Sequence, residues 1–261
     1  MNILSKIVAH KKVEIQTRKE LYPTKLLEST EFFSSPTLSM AGYIKRDDKS
    51  GIIAEFKKKS PSKPSINLFA DVKNVTLGYM QAGASALSVL TDEVFFGGKS
   101  ADLTKARLYN YCPIIRKDFI IDEYQIIEAR SIGADAILLI TEILSIEEVK
   151  KLASFANSLG LEVLLELHSE IQLAKYCPEC QLIGVNNRNL ETFVTSLDFS
   201  KNLIDKLPQE AVKISESGIS SPAEAKELKA VGYDGFLIGE QFMKSHDPGT
   251  AANEFINALI N

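Results

Sequence analysis

No apolar run in this chain approaches the 18 or so residues that span a membrane. The opening MNILSKIVAHKKVEIQTRKE interrupts each apolar stretch with charge, so no secretory signal is expected either. Lysine and arginine form no long block and the formal net charge is −4. That excludes the basic footprint of a nucleic-acid binder or an anionic-membrane anchor, and leaves any bound anion to local recognition. The three cysteines, Cys112, Cys177 and Cys180, are an odd set with no disulfide framework, as suits a reducing, cytoplasmic setting. The Cys177-Pro-Glu-Cys180 spacing precedes the apolar run QLIGV instead of opening a helix after a strand. A zinc site would have to recruit Cys112 and three scattered histidines, so neither a redox nor a metal role is expected.

Low-complexity linkers are also missing; the SSP and KSPSKPS clusters read as loops, and no domain boundary stands out. With 45% hydrophobic and 25% charged residues, the 261-residue chain can bury a sizeable core. Short β-rich runs alternate with longer helical segments, the pattern of a parallel sheet. Eight such runs occur, at 52–57, 86–91, 113–118, 136–141, 161–167, 182–187, 211–217 and 235–240. Their apolar interiors suit strands covered on both faces. Helices are expected at 70–82, 101–109, 123–132, 145–157, 169–176, 197–206, 222–231 and 248–259. Ser145 with Glu148 forms a capping box and Ser221-Pro222 a helix start, while Gly83, Gly133, Gly160 and Gly232 stand where helices end.

Eight strand–helix units at about the usual length argue for a single (β/α)8 TIM barrel over 51–261, although an open doubly wound sheet has similar periodicity. Residues 1–50 form an N-terminal helical extension, with Ile3, Leu4, Ile7 and Val8 on one face ahead of a charged 10–20 stretch, and should cover the barrel or its mouth.

Charged residues gather at the strand C-termini, where such a barrel builds its site. Glu55 and Lys57, two apart on the first strand, share a face. Lys117 ends the third strand, Glu166 the fifth, Asn186 and Arg188 the sixth, and Glu216 and Ser217 the seventh. Any one of these is explained as a polar exit into a solvated loop. Together they are not, because charges converging on one rim must pair or bind a ligand to offset several kcal/mol of desolvation, roughly. Ser217-Gly218 and Gly239-Glu240, after the last two strands, precede helix starts that can offer N–H groups to a phosphate. Phe56, Phe95, Phe96 and Phe119 are available to flank an aromatic ligand or to pack the core.

The stretches AEFKKKSPSK (54–63), TDEVFFGG (91–98), RKDFIIDEYQIIEAR (116–130), LLELH (164–168), IGVNNRNL (183–190) and SESGI (215–219) resemble indole-3-glycerol-phosphate synthase over nearly the whole chain. The resemblance implies a carboxy-lyase acting on 1-(2-carboxyphenylamino)-1-deoxyribulose 5-phosphate in tryptophan biosynthesis; the chain is expected to act as a monomer without cofactor or metal. It implies Lys117 as general acid, Lys57 at the substrate carboxylate and as a second acid, and Glu166 as general base. Glu55, Asn186, Arg188 and Glu216 would orient the lysines and the substrate hydroxyls. Ser217, Gly218 and Gly239 would hold phosphate, Phe119 would border the ring, and Ser60 and Lys63 would close over the site on the first loop. Two positions depart from the family pattern: Pro64, where glycine is frequent, and Glu240, where a small residue often assists phosphate. The Glu240 side chain is expected to turn away and leave its N–H for the ligand. A Schiff-base aldolase using Lys117 or Lys57, or a non-catalytic phosphate-binding barrel, are the alternative readings.

Overall fold

The computed structural model describes residues 3–190 and 192–261. Among these, eight strands close a barrel in sequence order, every neighbouring pair parallel. They are β1 (Ile52–Phe56), β2 (Ala86–Leu90), β3 (Ile114–Lys117), β4 (Ala136–Ile140), β5 (Glu162–Leu167), β6 (Leu182–Asn186), β7 (Val212–Glu216) and β8 (Gly235–Ile238). Closure comes from β1 against β8, with Ile53 opposite Leu237. The open-sheet alternative is thereby excluded.

Helices α1 (Ile3–Leu21), α2 (Thr24–Glu28), α3 (Glu31–Ser34) and α4 (Met40–Ile44) precede the barrel. Its outer ring comprises α5 (Val72–Gln81), α6 (Ser100–Tyr109), α7 (Glu123–Ser131), α8 (Ile146–Ser158), α9 (Asp198–Leu203), α10 (Pro222–Ala230), α11 (Glu240–Met243) and α12 (Pro248–Ile260). Both capping motifs form: Ser145 Oγ accepts the Glu148 N–H while Glu148 Oε2 accepts that of Ser145, and Ser221 does the same with Glu224. Gly83, Gly133, Gly160 and Gly232 have φ of 92°, 94°, 76° and 117°, the left-handed exits expected of them.

Three expectations need correction. The 169–176 segment is a 3-10 helix (Glu170–Lys175), and 197–206 divides into α9 and a 3-10 turn at Ile204–Lys206. The N-terminal extension, expected as one amphipathic helix and a charged stretch, is divided into α1 and the short α2, α3 and α4, while α11 starts at Glu240 as expected; at four or five residues these short helices have no periodicity to delimit them and exist through tertiary contacts. Finally, the buried face of α1 is Leu4, Ile7, Lys11 and Ile15, with Ile3 and Val8 only half-buried. A lysine from the charged stretch thus sits inside.

Alternation along each strand divides the core in two. Ile52, Ala54 and Phe56 of β1 face the helices, whereas Ile53 joins Ala86, Ile115, Ala136, Leu164, Leu182, Val212, Ile214 and Leu237 inside the barrel. The extension closes both ends of this interior. Leu4 and Ile7 of α1 pack at the C-terminal mouth, and Met40 and Ile44 of α4 plug the floor. Burying each plug residue contributes about 1.5–3 kcal/mol. The floor is pinned by Leu38 N–H to Asp135 Oδ1 (2.8 Å) and Ala41 N–H to Glu162 Oε2 (2.9 Å).

Candidate active site

Residues two positions after the inward apolar ones on their strands must point inward too, and at the C-terminal ends these are polar. Glu55 follows Ile53, Lys117 follows Ile115, Glu166 follows Leu164, and Glu216 follows Ile214. Their charges therefore meet on the barrel axis. Lys117 Nζ lies 3.5 Å from Glu166 Oε2, 3.6 Å from Glu216 Oε2 and 3.8 Å from Glu55 Oε2. Lys57 Nζ donates to Glu55 Oε1 at 2.7 Å, and Ser88 Oγ donates to Glu55 Oε2 at 3.2 Å.

Two glycines make room for these carboxyl groups. A Cβ on Gly184 would stand 2.1 Å from Glu216 Oε1, and one on Gly239 would stand 2.7 Å from Glu55 Oε1. Gly239, expected to serve phosphate, is thus also required by the carboxylate behind it.

The electrostatics are those of a nearly dry cluster. Burial disfavours the charge on Lys117, but Glu166, Glu216 and Glu55 outweigh it and raise the pKa. Burial likewise opposes the charge on Glu166, yet Lys117 and then His168 hold it well below the usual carboxylate range. Glu216 is pushed well above that range by burial and by the charge on Glu166. Burial opposes the charge on Glu55 as well, yet Lys57 and then Lys117 lower its pKa.

The cleft above this cluster has two lobes that share Glu55, Lys57, Lys117, Arg188 and Ser217. The first is apolar, walled by Leu4 and Ile7 of α1, by Phe96 and Phe119 with ring centroids 5.8 Å apart, and by Leu138 and Ile140. Phe56 is outer-core packing and Phe95 packs edge-on against His10, so neither borders this lobe. The second is polar and contains Ser217, Gly218, Gly239 and Glu240. Ser217 holds φ of 65°, a cost of about 1–3 kcal/mol for a non-glycine residue, of the kind that concentrates at functional sites. Asn186 Oδ1 accepts the Arg188 N–H at 3.0 Å.

Glu240 does not turn away. Its carboxylate takes Lys63 Nζ at 2.5 Å and lies 3.5 Å from Arg188 Nη2, fastening the first loop across the polar lobe. The reason is charge: these two cations project toward the rim, and they keep Glu240 anionic despite its partial burial. In the loop, Ser60 pairs with Lys63 through both backbone hydrogen bonds, at 2.8 and 3.0 Å.

Sequence reasoning missed three contributors. Ile3, Leu4 and Ile7 were assigned to a covering helix without being placed in the cleft. His168 lines the apolar lobe with Nε2 3.2 Å from Glu166 Oε1, and its position two residues after Glu166 on an alternating strand was the available signal. Lys11 is entirely buried, its Nζ 2.9 Å from Asp118 Oδ1 and 3.0 Å from both Asp92 Oδ2 and Glu14 Oε2. Cys177 and Cys180 are free thiols with sulfurs 3.7 Å apart, outside the cleft.

The family model of indole-3-glycerol phosphate synthase matches residues 4–255. The chain is 47% identical over 258 residues to an indole-3-glycerol phosphate synthase of Bacteroides thetaiotaomicron, covering 99% of each. The chain belongs to the indole-3-glycerol phosphate synthase family. A relative of the same name from Campylobacter jejuni subsp. doylei is 41% identical over 254 residues, 95% of this chain and 98% of the relative. Two solved structures share only the fold. They are 3-hexulose-6-phosphate synthase from Salmonella typhimurium (TM-score 0.64, 11% identity, 80% of this chain and 98% of that one) and tryptophan synthase subunit alpha from Legionella pneumophila (TM-score 0.59, 15% identity, 85% and 95%).

Proposed function

We propose that this cleft closes the indole ring of indole-3-glycerol phosphate from 1-(2-carboxyphenylamino)-1-deoxyribulose 5-phosphate, releasing carbon dioxide and water, as a carboxy-lyase of tryptophan biosynthesis. The observation that carries this reading is Lys117 at the junction of an apolar and a polar lobe, within 3.5 Å of Glu166. The aromatic ring occupies the apolar lobe, and the phosphate reaches Ser217, Gly218 and Gly239. Lys57 receives the ring carboxylate, while Lys63 and Ser60 cover the loop side.

The aryl carbon that bears the carboxylate attacks the ketone carbon, and Lys117 donates a proton to the ketone oxygen. A strongly held ammonium proton suits this step, because the oxygen becomes more basic than any amine as it turns into an alkoxide. The C–CO₂ bond then breaks and its electron pair restores the aromatic ring. Lys57 protonates the new hydroxyl, which departs as water, and Glu166 removes the proton from the adjacent methylene carbon to complete the double bond. Glu55 and Glu216 hold the lysines, and Asn186 and Arg188 meet the substrate hydroxyls.

The Schiff-base alternative needs a lysine with a free lone pair. Three surrounding carboxyl groups raise the pKa of Lys117 and disfavour that state. The fluorescence of indole-3-glycerol phosphate, followed from the synthetic substrate, is the direct test; no product from folded protein refutes the reading.

A further inference from the structure

His168 follows β5 and continues its inward series after Leu164 and Glu166. The side chain is 7% exposed, Nε2 stands 3.2 Å from Glu166 Oε1, and the ring borders the apolar lobe. A histidine packed only for bulk has its ring nitrogens satisfied by the core. Here Nδ1 has no hydrogen-bond partner among the described residues, and Nε2 faces Glu166 Oε1 at 3.2 Å.

The backbone beneath the pair is locked. Gln172 Oε1 accepts the His168 N–H at 2.7 Å, and Thr141 Oγ1 lies 2.7 Å from Gln172 Oε1 and 2.8 Å from the Glu166 carbonyl oxygen, its single proton shared between these two acceptors. Gln172 Nε2 in turn donates to Glu142. The 3-10 turn of 170–175 is what carries Gln172 to this position. Glu166 is thus divided between two neighbours, Oε2 toward Lys117 and Oε1 toward His168.

We propose that His168 is a positioning residue for ring closure: its imidazole holds Oε1 of Glu166 in the orientation from which that carboxylate removes the carbon-bound proton. The inference rests on Glu166 being the base. The arrangement follows a general design in which a reacting group is oriented by a neighbour that is itself fixed by backbone hydrogen bonds. Besides His168, the titratable groups around Glu166 are Lys117 from β3, Glu216 from β7 and, beyond Lys117, Glu55 from β1; Glu142 approaches through Gln172. His168 and Lys117 both favour the ionised form of Glu166, so loss of the imidazole raises its pKa.

The test compares His168→Gln with Glu166→Gln in single-turnover assays across pH, with thermal unfolding as the folding control. Expected for His168→Gln are a turnover rate lower by about 10- to 100-fold, KM within about twofold of the parent, and an acid limb displaced upward by about one pH unit. A folded His168→Gln protein with the parent rate and acid limb, beside an inactive Glu166→Gln, overturns the role of His168 and leaves Glu166 as base. A Glu166→Gln protein with near-parent rate overturns the base and the proposal together. Should His168→Gln fail to fold, His168→Gly with added imidazole decides: recovered turnover supports the positioning role, and turnover indifferent to imidazole overturns it.

Discussion

Lys11 of α1 and Asp118, the residue after Lys117, form a fully buried ion pair with Nζ to Oδ1 of 2.9 Å. Asp118 also pairs with Arg116, which reaches Glu128 on α7, and Glu128 returns to Arg18 of α1. Asp92, the second acceptor of Lys11, takes the N–H groups of Phe95 and Phe96. One ammonium therefore ties the covering helix, the Phe96 loop and the end of β3 into the wall of the apolar lobe.

Lys11→Met should destabilise the fold by about 3–5 kcal/mol at neutral pH, because it strands buried carboxylates. Burial opposes the charge on Asp118, yet Lys11 and then Arg116 lower its pKa to about 2. Its contribution is therefore present above the unfolded value of about 3.9 and is lost as pH falls toward 2. Without Lys11 the folded value rises, so the deficit of the variant should be largest above pH 4 and shrink below it. Urea unfolding at a series of pH values measures this, and a deficit that grows on acidification would refute the pairing.

Lys117→Met should nearly abolish ring closure, by about 10²–10⁴-fold, while folding and much of substrate binding persist. Methionine keeps the aliphatic bulk and removes the proton donor. Lys63→Met should instead impair binding or loop closure. Single-turnover kinetics at saturating substrate separate the two; a near-normal rate in a folded Lys117 variant would make Lys57 the leading acid.

Glu240→Gln should strengthen binding of inorganic phosphate as a competitive inhibitor by about two- to fivefold, the equivalent of up to about 1 kcal/mol for an exposed ion pair. Removing the carboxylate frees Lys63 and Arg188 for the anion and eliminates a like charge from the lobe. Weaker or unchanged inhibition would show that the fastening of the loop matters more than the repulsion.

Gly184→Ala should lower turnover and destabilise by about 1–3 kcal/mol, as overpacking does. The added methyl would lie 2.1 Å from Glu216 Oε1 and 3.2 Å from Leu164 Cδ1, so Glu216 must leave the Lys117 cluster. A parent-like rate would mean that Glu216 is not needed in its observed place.

Local sequence was enough for whatever depends on neighbours along the chain. Alternation put Glu55 and Lys57 on one face of β1, the Ser145–Glu148 spacing marked a helix start, and eight strand–helix units fitted a barrel. The positions that only tertiary structure decided are those governed by distant partners. Lys11 reads as a solvated charge until three carboxylates, two of them from β2 and β3 loops, surround it. Glu240 turns inward because Lys63, 177 residues away, meets it there. Burial and the charge of Glu166, fifty positions earlier and beside the shared Lys117, push the Glu216 carboxyl well above the usual carboxylate range. Spacing along a strand determines direction; the sign of charge that survives burial is determined by what the closed barrel brings within a few ångströms, where low polarizability makes each neighbour count.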